Sequence, residues 1–302
     1  MAKYTLIILS TILPLFLGLA SYREPVITPT DIRFIVLGDM GTGDSNQKAV
    51  AKAVAKKCKL EDCQFVVLLG DNFYKDGVES TSDRQWKTKF ATMFRNTPVP
   101  FYAVLGNHDR RGSTQAQIDY SKVNSKWIMP NNYYNFSKDN VDFIAVDSHK
   151  LLVREKHRIQ QDQYYKELMP SLNGDWKILL THHPYISDSW HGNMGNYEGT
   201  TGRGLGSKAI FNDHFCGKID LYLQAHDHNL QVLKGPKSCP GTFVVSGGGG
   251  GRLYDQKSRD ANQVEFFKQT FGFTYIQIID SCIAIEMIKN DGKILHTKNY
   301  CK

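Results

Sequence analysis

The chain has no C-x-x-C pair, no internal repeat, no long low-complexity tract and no extended run of Lys or Arg. Each absence removes a class of protein. Without C-x-x-C spacing, neither a zinc ribbon nor a thioredoxin-type redox site is expected. Scattered basic residues make the formal charge of +7 a matter of solubility, and a nucleic-acid partner is not expected. Beyond the first twenty residues no apolar run is long enough to cross a bilayer. The glycine segment Gly247–Gly251 lacks the strand-to-helix context and the Lys of a phosphate-binding loop. It reads either as backbone packed close to a site or as a plain turn.

What is present bounds the answer from the other side. A chain of 302 residues with 41% hydrophobic content can bury one large α/β core. Lys3 precedes an uncharged stretch from Tyr4 to Ala20, with small residues at Gly18 and Ala20. That pattern predicts a signal peptide over residues 1–20 and a single domain over 21–302. Pro14 interrupts the run, and an uncleaved anchor is the alternative. The expected locations are secreted, periplasmic or a lysosome-like compartment, with a soluble monomer and no stable membrane partner after cleavage. No Cys follows the apolar run, which argues against a lipoprotein. Six cysteines behind an export signal suggest disulfides. The local pairing Cys58–Cys63, Cys216–Cys239 and Cys282–Cys301 is one of about fifteen connectivities.

Strand and helix patterns alternate. Helices are expected over Asn46–Lys57, with Asp44 or Ser45 as cap, and over Asp83–Phe94, His157–Met169 and Leu205–Phe215. Tyr133–Phe136 and Val141–Asp147 read as an antiparallel pair, and the tail from Thr242 is strand-rich. The order predicts an α/β protein with two packed sheets and helices outside, a four-layer α/β/β/α sandwich.

Five short words stand just past apolar runs: Gly38-Asp39-Met40-Gly41, Gly70-Asp71-Asn72-Phe73-Tyr74, Gly106-Asn107-His108-Asp109, Thr181-His182-His183-Pro184 and Ala225-His226-Asp227-His228. Polar residues at strand ends are how an open α/β sheet builds one site. Carboxylate, amide and imidazole donors together suit a pair of first-row metals rather than one structural zinc.

In this combination and order the words resemble the calcineurin-like metallophosphoesterases, and Tyr74 narrows the resemblance to the purple acid phosphatases, in particular the small tartrate-resistant branch. The resemblance implies Fe(III) paired with Fe(II) or Zn(II), with Mn as a further option. It implies Asp39, Asp71, Tyr74 and His228 as Fe(III) ligands, Asp71 bridging, and Asn107, His182 and His226 on the divalent ion. The family pattern selects His182 over His183. It implies His108 and His191 as catalytic histidines facing the substrate. The expected reaction is hydrolysis of phosphate monoesters, on small molecules or phosphopeptides, by a metal-bound hydroxide. A phosphodiesterase or pyrophosphatase activity and a peroxide-dependent redox role are the alternatives. Ala225 stands where the family usually has Gly.

Other residues carry less. Asp109 is expected either to orient His108 or to cap a turn, and Asp227 to face away from the metals. Asp44, Asn193, Glu198 and Arg203 are weak candidates for the substrate mouth. His149, His157, His214 and His296 lie outside the words and read as surface or core residues.

Overall fold

The computed structural model describes residues 30–257 and 263–302. The expected signal peptide over residues 1–20 lies outside the described residues.

Apolar runs flanked by turns become strands in chain order: β1 (Asp31–Leu37), β2 (Phe65–Leu68), β3 (Phe101–Ala103), β4 (Trp127–Ile128), β5 (Tyr134–Lys138), β6 (Val141–Ala145), β7 (Trp176–Leu180), β8 (Leu221–Gln224), β9 (Leu230–Lys234), β10 (Thr242–Ser246), β11 (Val264–Lys268), β12 (Gly272–Ile279), β13 (Cys282–Lys289) and β14 (Ile294–Cys301). They form two seven-stranded sheets, ordered β14-β13-β12-β1-β2-β3-β4 and β11-β9-β10-β8-β7-β6-β5. β1, β2, β3 and β4 run parallel. So do β6, β7, β8 and β10. The antiparallel strands sit at the margins.

Side-chain alternation decides which layer each residue joins. On β7, Ile178 faces the first sheet while Leu179 faces helices. Phe143 meets Phe34 and Phe65 edge-on at 5.4 and 5.5 Å between ring centroids, joining the two sheets. Helix α1 (Ser45–Leu60) covers the first sheet with Val50, Ala51 and Val54. A short helix, α2 (Thr114–Tyr120), adds Ala116 and Tyr120 to the same core. On the far side of the second sheet lie α3 (Ser148–Val153), α4 (Glu155–Leu168) and α5 (Leu205–His214), whose Leu151, Tyr165 and Phe211 complete the second core. The four layers are those expected.

Several differences are local. The stretch over Asp83–Phe94 winds as a π-helical turn, Trp86–Ala91, with Thr92 N donating to Lys87 O. That winding keeps Trp86 stacked on Tyr120 and Phe90 against Trp127, so aromatic packing overrides a regular helix. Helices α2 and α3 and strands β4, β9 and β11 were not expected. Asp44, and not Ser45, caps α1 through Asn46 N and Gln47 N. The three disulfides pair as expected, Cys58–Cys63, Cys216–Cys239 and Cys282–Cys301.

Candidate metal centre

The parallel strands of both sheets end on the same side. Ser246, at the end of β10, ties them together: its carbonyl accepts from Gly38 N at 2.7 Å and its hydroxyl donates to Val36 O at 2.8 Å. The loops after β1, β2, β3, β7 and β8 therefore deliver their polar residues to one place.

Two groups of donors form there. Tyr74 Oη lies 3.1 Å from Asp39 Oδ1 and 3.1 Å from His228 Nε2. His182 Nε2 lies 3.1 Å from both Asn107 Oδ1 and His226 Nδ1. Asp71 stands between the groups, its Oδ2 3.5 Å from His182 Nε2. Asp39, Asp71 and His182 each bring one donor atom within 4.8 Å of the others. All seven residues expected as ligands are in this cluster.

The backbone is bent to do this. Asp39, Asp71 and His226 have φ of 58°, 51° and 69°, a left-handed conformation that costs a residue with a Cβ about 1–2 kcal/mol. Hydrogen bonds hold the turns. Asp39 Oδ2 accepts from His226 N at 2.9 Å, and Asp71 Oδ1 from His108 N at 2.8 Å.

The donor chemistry fits cations. His182 Nδ1 and His228 Nδ1 face the carbonyls of Leu69 and Arg252 at 2.8 and 2.7 Å. Each ring thus donates outward and turns Nε2 inward, the arrangement that fixes a metal-binding tautomer. Burial and the neighbouring Asp39 charge push the Asp71 carboxyl up to about 7. Burial and the same two carboxylates push the Tyr74 phenol well above its ordinary value. Burial works against the Asp39 carboxylate too, but His228 and His182 outweigh it and hold Asp39 low. Two adjacent buried carboxylates, a phenol and inward-facing imidazole nitrogens are a donor set that cationic charge would stabilise.

His183 is close as well: one of its nitrogens lies within 4.8 Å of His182 and His226 donors. Its Nδ1 pairs with Ser148 Oγ at 2.9 Å, and burial holds the ring well below the ordinary imidazole range. His191 stacks on His226 with 3.8 Å between ring centroids, and its Nδ1 lies 3.3 Å from Glu198 Oε1. His108 lies against the Tyr74 ring at 4.6 Å and 3.9 Å from Asp71 Oδ2.

Some expectations need correcting. Asp109 does not touch His108; fully buried, it accepts from Asn72 N, Gly106 N and Gln117 Nε2, clamping the loops after β2 and β3 together. Asp44 caps α1 away from the mouth, and Asn193 accepts from Ser187 N. His149 is not merely a packing residue, because it lines the cleft beside the cluster with Arg110 and Arg111. Sequence reasoning missed those two arginines, although they directly follow the Gly-Asn-His-Asp word. Asp227 does face away, accepting from Ser187 Oγ and His191 N.

Gly247–Gly251 packs as close backbone. A Cβ at Gly247 would sit 2.8 Å from Asp39 Oδ2, and one at Gly251 2.7 Å from His228 Cε1.

Comparison with known proteins agrees with this geometry. The chain is 26% identical to tartrate-resistant acid phosphatase type 5 of Sus scrofa, covering 95% of this chain and 91% of that protein. It is 27% identical to purple acid phosphatase 3 of Arabidopsis thaliana, over 90% of this chain and 78% of that one. Among solved structures, GAP50, described as the anchor in the inner membrane complex of Plasmodium, superposes with a TM-score of 0.73 at 23% identity, covering 90% of this chain and 89% of that one. Purple acid phosphatase PPD1 of Lupinus luteus superposes with a TM-score of 0.67 at 17% identity, over 91% and 54%. These two likenesses are of fold. The family model for calcineurin-like phosphoesterases matches residues 32–230, about two thirds of the chain, and takes in all five words, so the chain belongs to the calcineurin-like phosphoesterase family.

Proposed function

We propose that the protein is an acid phosphatase that hydrolyses phosphate monoesters at a dinuclear metal centre. The observation that carries this reading is Asp71, set between a group of Asp39, Tyr74 and His228 and a group of Asn107, His182 and His226. The first group would hold Fe(III), for which phenolate and carboxylate oxygen are suited, and the second Fe(II), Zn(II) or Mn(II). When bound, the metal pair supplies positive charge for the phosphoryl oxygens and lowers the pKa of water.

The chain's own residues do the rest. The ester P–O bond breaks, the oxygen of water joins phosphorus, and the departing alkoxide takes up a proton. His108 and His191 flank the cluster and would hold that proton. Glu198 faces His191 Nδ1 and so orients the ring. Neutral Asn107 adds an oxygen donor without further negative charge, which leaves the site open to an anion.

The chain is read as an export segment over residues 1–20 and a single domain over 21–302, and three disulfides suit the oxidising compartment that export implies. Among the described residues no helix is long and apolar enough to cross a membrane.

Metal analysis together with the visible spectrum tests the assignment. A phenolate-to-iron band that vanishes in Tyr74→Phe is expected, with turnover of p-nitrophenyl phosphate far faster than of its bis-aryl ester. A colourless zinc protein would remove the iron assignment, and inertness of the metal-loaded protein on every phosphoester would remove the enzyme.

A further inference from the structure

The cleft beside the donor cluster is charged beyond what binding one phosphoryl group requires. It has a volume of about 500 Å³ and is bounded by Asn107 and His226. Three arginines, Arg110, Arg111 and Arg203, line it against a single carboxylate, Glu198. Arg110 is mostly buried and engaged by Asp147. Arg203 is engaged by Glu198, which also faces His191. Arg111 differs from both: Asp76 is 3.6 Å away, and the two side chains are 53% and 71% exposed. An exposed pair of this kind is weak and readily exchanged for a stronger anion. Leu152 and Val153 give the same cleft an apolar wall.

We propose that this cleft is a second phosphoryl subsite. The preferred substrate is then a small phosphate ester carrying another phosphoryl group on the same molecule. The ester to be cleaved faces Asn107 and His226. The second group lies on Arg111 and Arg203, and the carbon skeleton between them packs on Leu152 and Val153. Arginine suits the role because its planar fork matches two phosphate oxygens. Hydrolysis releases one phosphate and leaves the second phosphoryl group on the product. The inference rests on the phosphatase reading above and names the substrate class for that same site.

The experiment compares kcat/KM of the metal-loaded enzyme within matched pairs. One pair is a pentose bisphosphate against its monophosphate, where a shorter carbon skeleton separates the two groups. The other is a hexose bisphosphate against its monophosphate, where a skeleton separates them. In at least one pair the doubly phosphorylated member is expected to be preferred about tenfold, the scale of one charge-assisted contact. That preference should collapse towards one in R111Q combined with R203Q. Because each ratio is taken within one preparation, partial misfolding of the variant cancels. A ratio near one in both pairs, or a preference that the variant retains, overturns the inference while p-nitrophenyl phosphate is still hydrolysed. Failure to hydrolyse p-nitrophenyl phosphate removes the phosphatase reading and this inference with it.

Discussion

Gly106 is pressed against Asp71: a Cβ added to it would stand 2.1 Å from Asp71 Oδ1 and 2.3 Å from Asp71 N. Those distances are impossible for real atoms, so any side chain must push the loops after β2 and β3 apart. Gly106→Ala is expected to lower thermal stability by the about 1–3 kcal/mol typical of overpacking. It should also bring metal content below one ion per chain, because the displaced carboxylate is the one between the two donor groups. Elemental analysis beside a melting curve checks both. A variant that melts lower but keeps its full metal complement would show that Asp71 does not bridge.

The two histidines beside the cluster should reveal themselves through the leaving group. An alkyl alkoxide needs a proton as it departs, whereas p-nitrophenolate does not. His191→Ala and His108→Ala are expected to slow alkyl phosphate hydrolysis by about 10²–10⁴, the range for loss of a general acid. Each should slow p-nitrophenyl phosphate far less. Equal losses on both substrates would assign the residue to binding instead.

Asp109, fully buried, accepts from Asn72 N after β2, Gly106 N after β3 and Gln117 Nε2 on α2. Asp109→Ala leaves Asn72 N, Gly106 N and Gln117 Nε2 without their acceptor, at about 1–3 kcal/mol for each stranded group. The expected result is a large drop in melting temperature, with activity lost in step with folded protein. Unchanged melting would mean that water replaces the carboxylate.

Cys216 and Cys239 close a segment of 23 residues between α5 and β10. In the chain-entropy account such a bridge contributes about 3 kcal/mol. Replacing both by Ser should lower the melting temperature by several degrees while leaving kcat/KM alone, since Cys239 packs in the second core away from the donors. A matching loss of catalytic efficiency in correctly folded protein would contradict that separation.

The two-sheet architecture and the gathering of the five words were largely legible because each word follows an apolar run, and strand ends gather at one edge of a parallel sheet; the part given to each donor rested on the family resemblance. Pairing of neighbouring cysteines was legible for the same local reason. Less could be read where the partner is remote in sequence. Asp109 was expected to orient its neighbour His108 or to cap a turn, yet it binds Asn72, 37 residues away. His149 gains its place in the cleft only because α3 follows directly on β6. The π-helical turn at Trp86 depends on Tyr120 and Trp127, which nothing near residue 86 announces. Ala225 bears on the site through packing: a Cβ at Gly38 would lie 2.4 Å from the Ala225 Cβ, so the two positions cannot both carry side chains in this geometry.

The ribbon Gly247–Gly251 presses on Asp227, Gly38, Thr42 and His228, among others. At Gly247 and Gly251 even one methyl would collide with Asp39 and His228, so this wall has little room to change. Adaptation to different substrates is therefore steered to the cleft, where exposed Arg111, held only by Asp76 at 3.6 Å, can be exchanged without disturbing the donors.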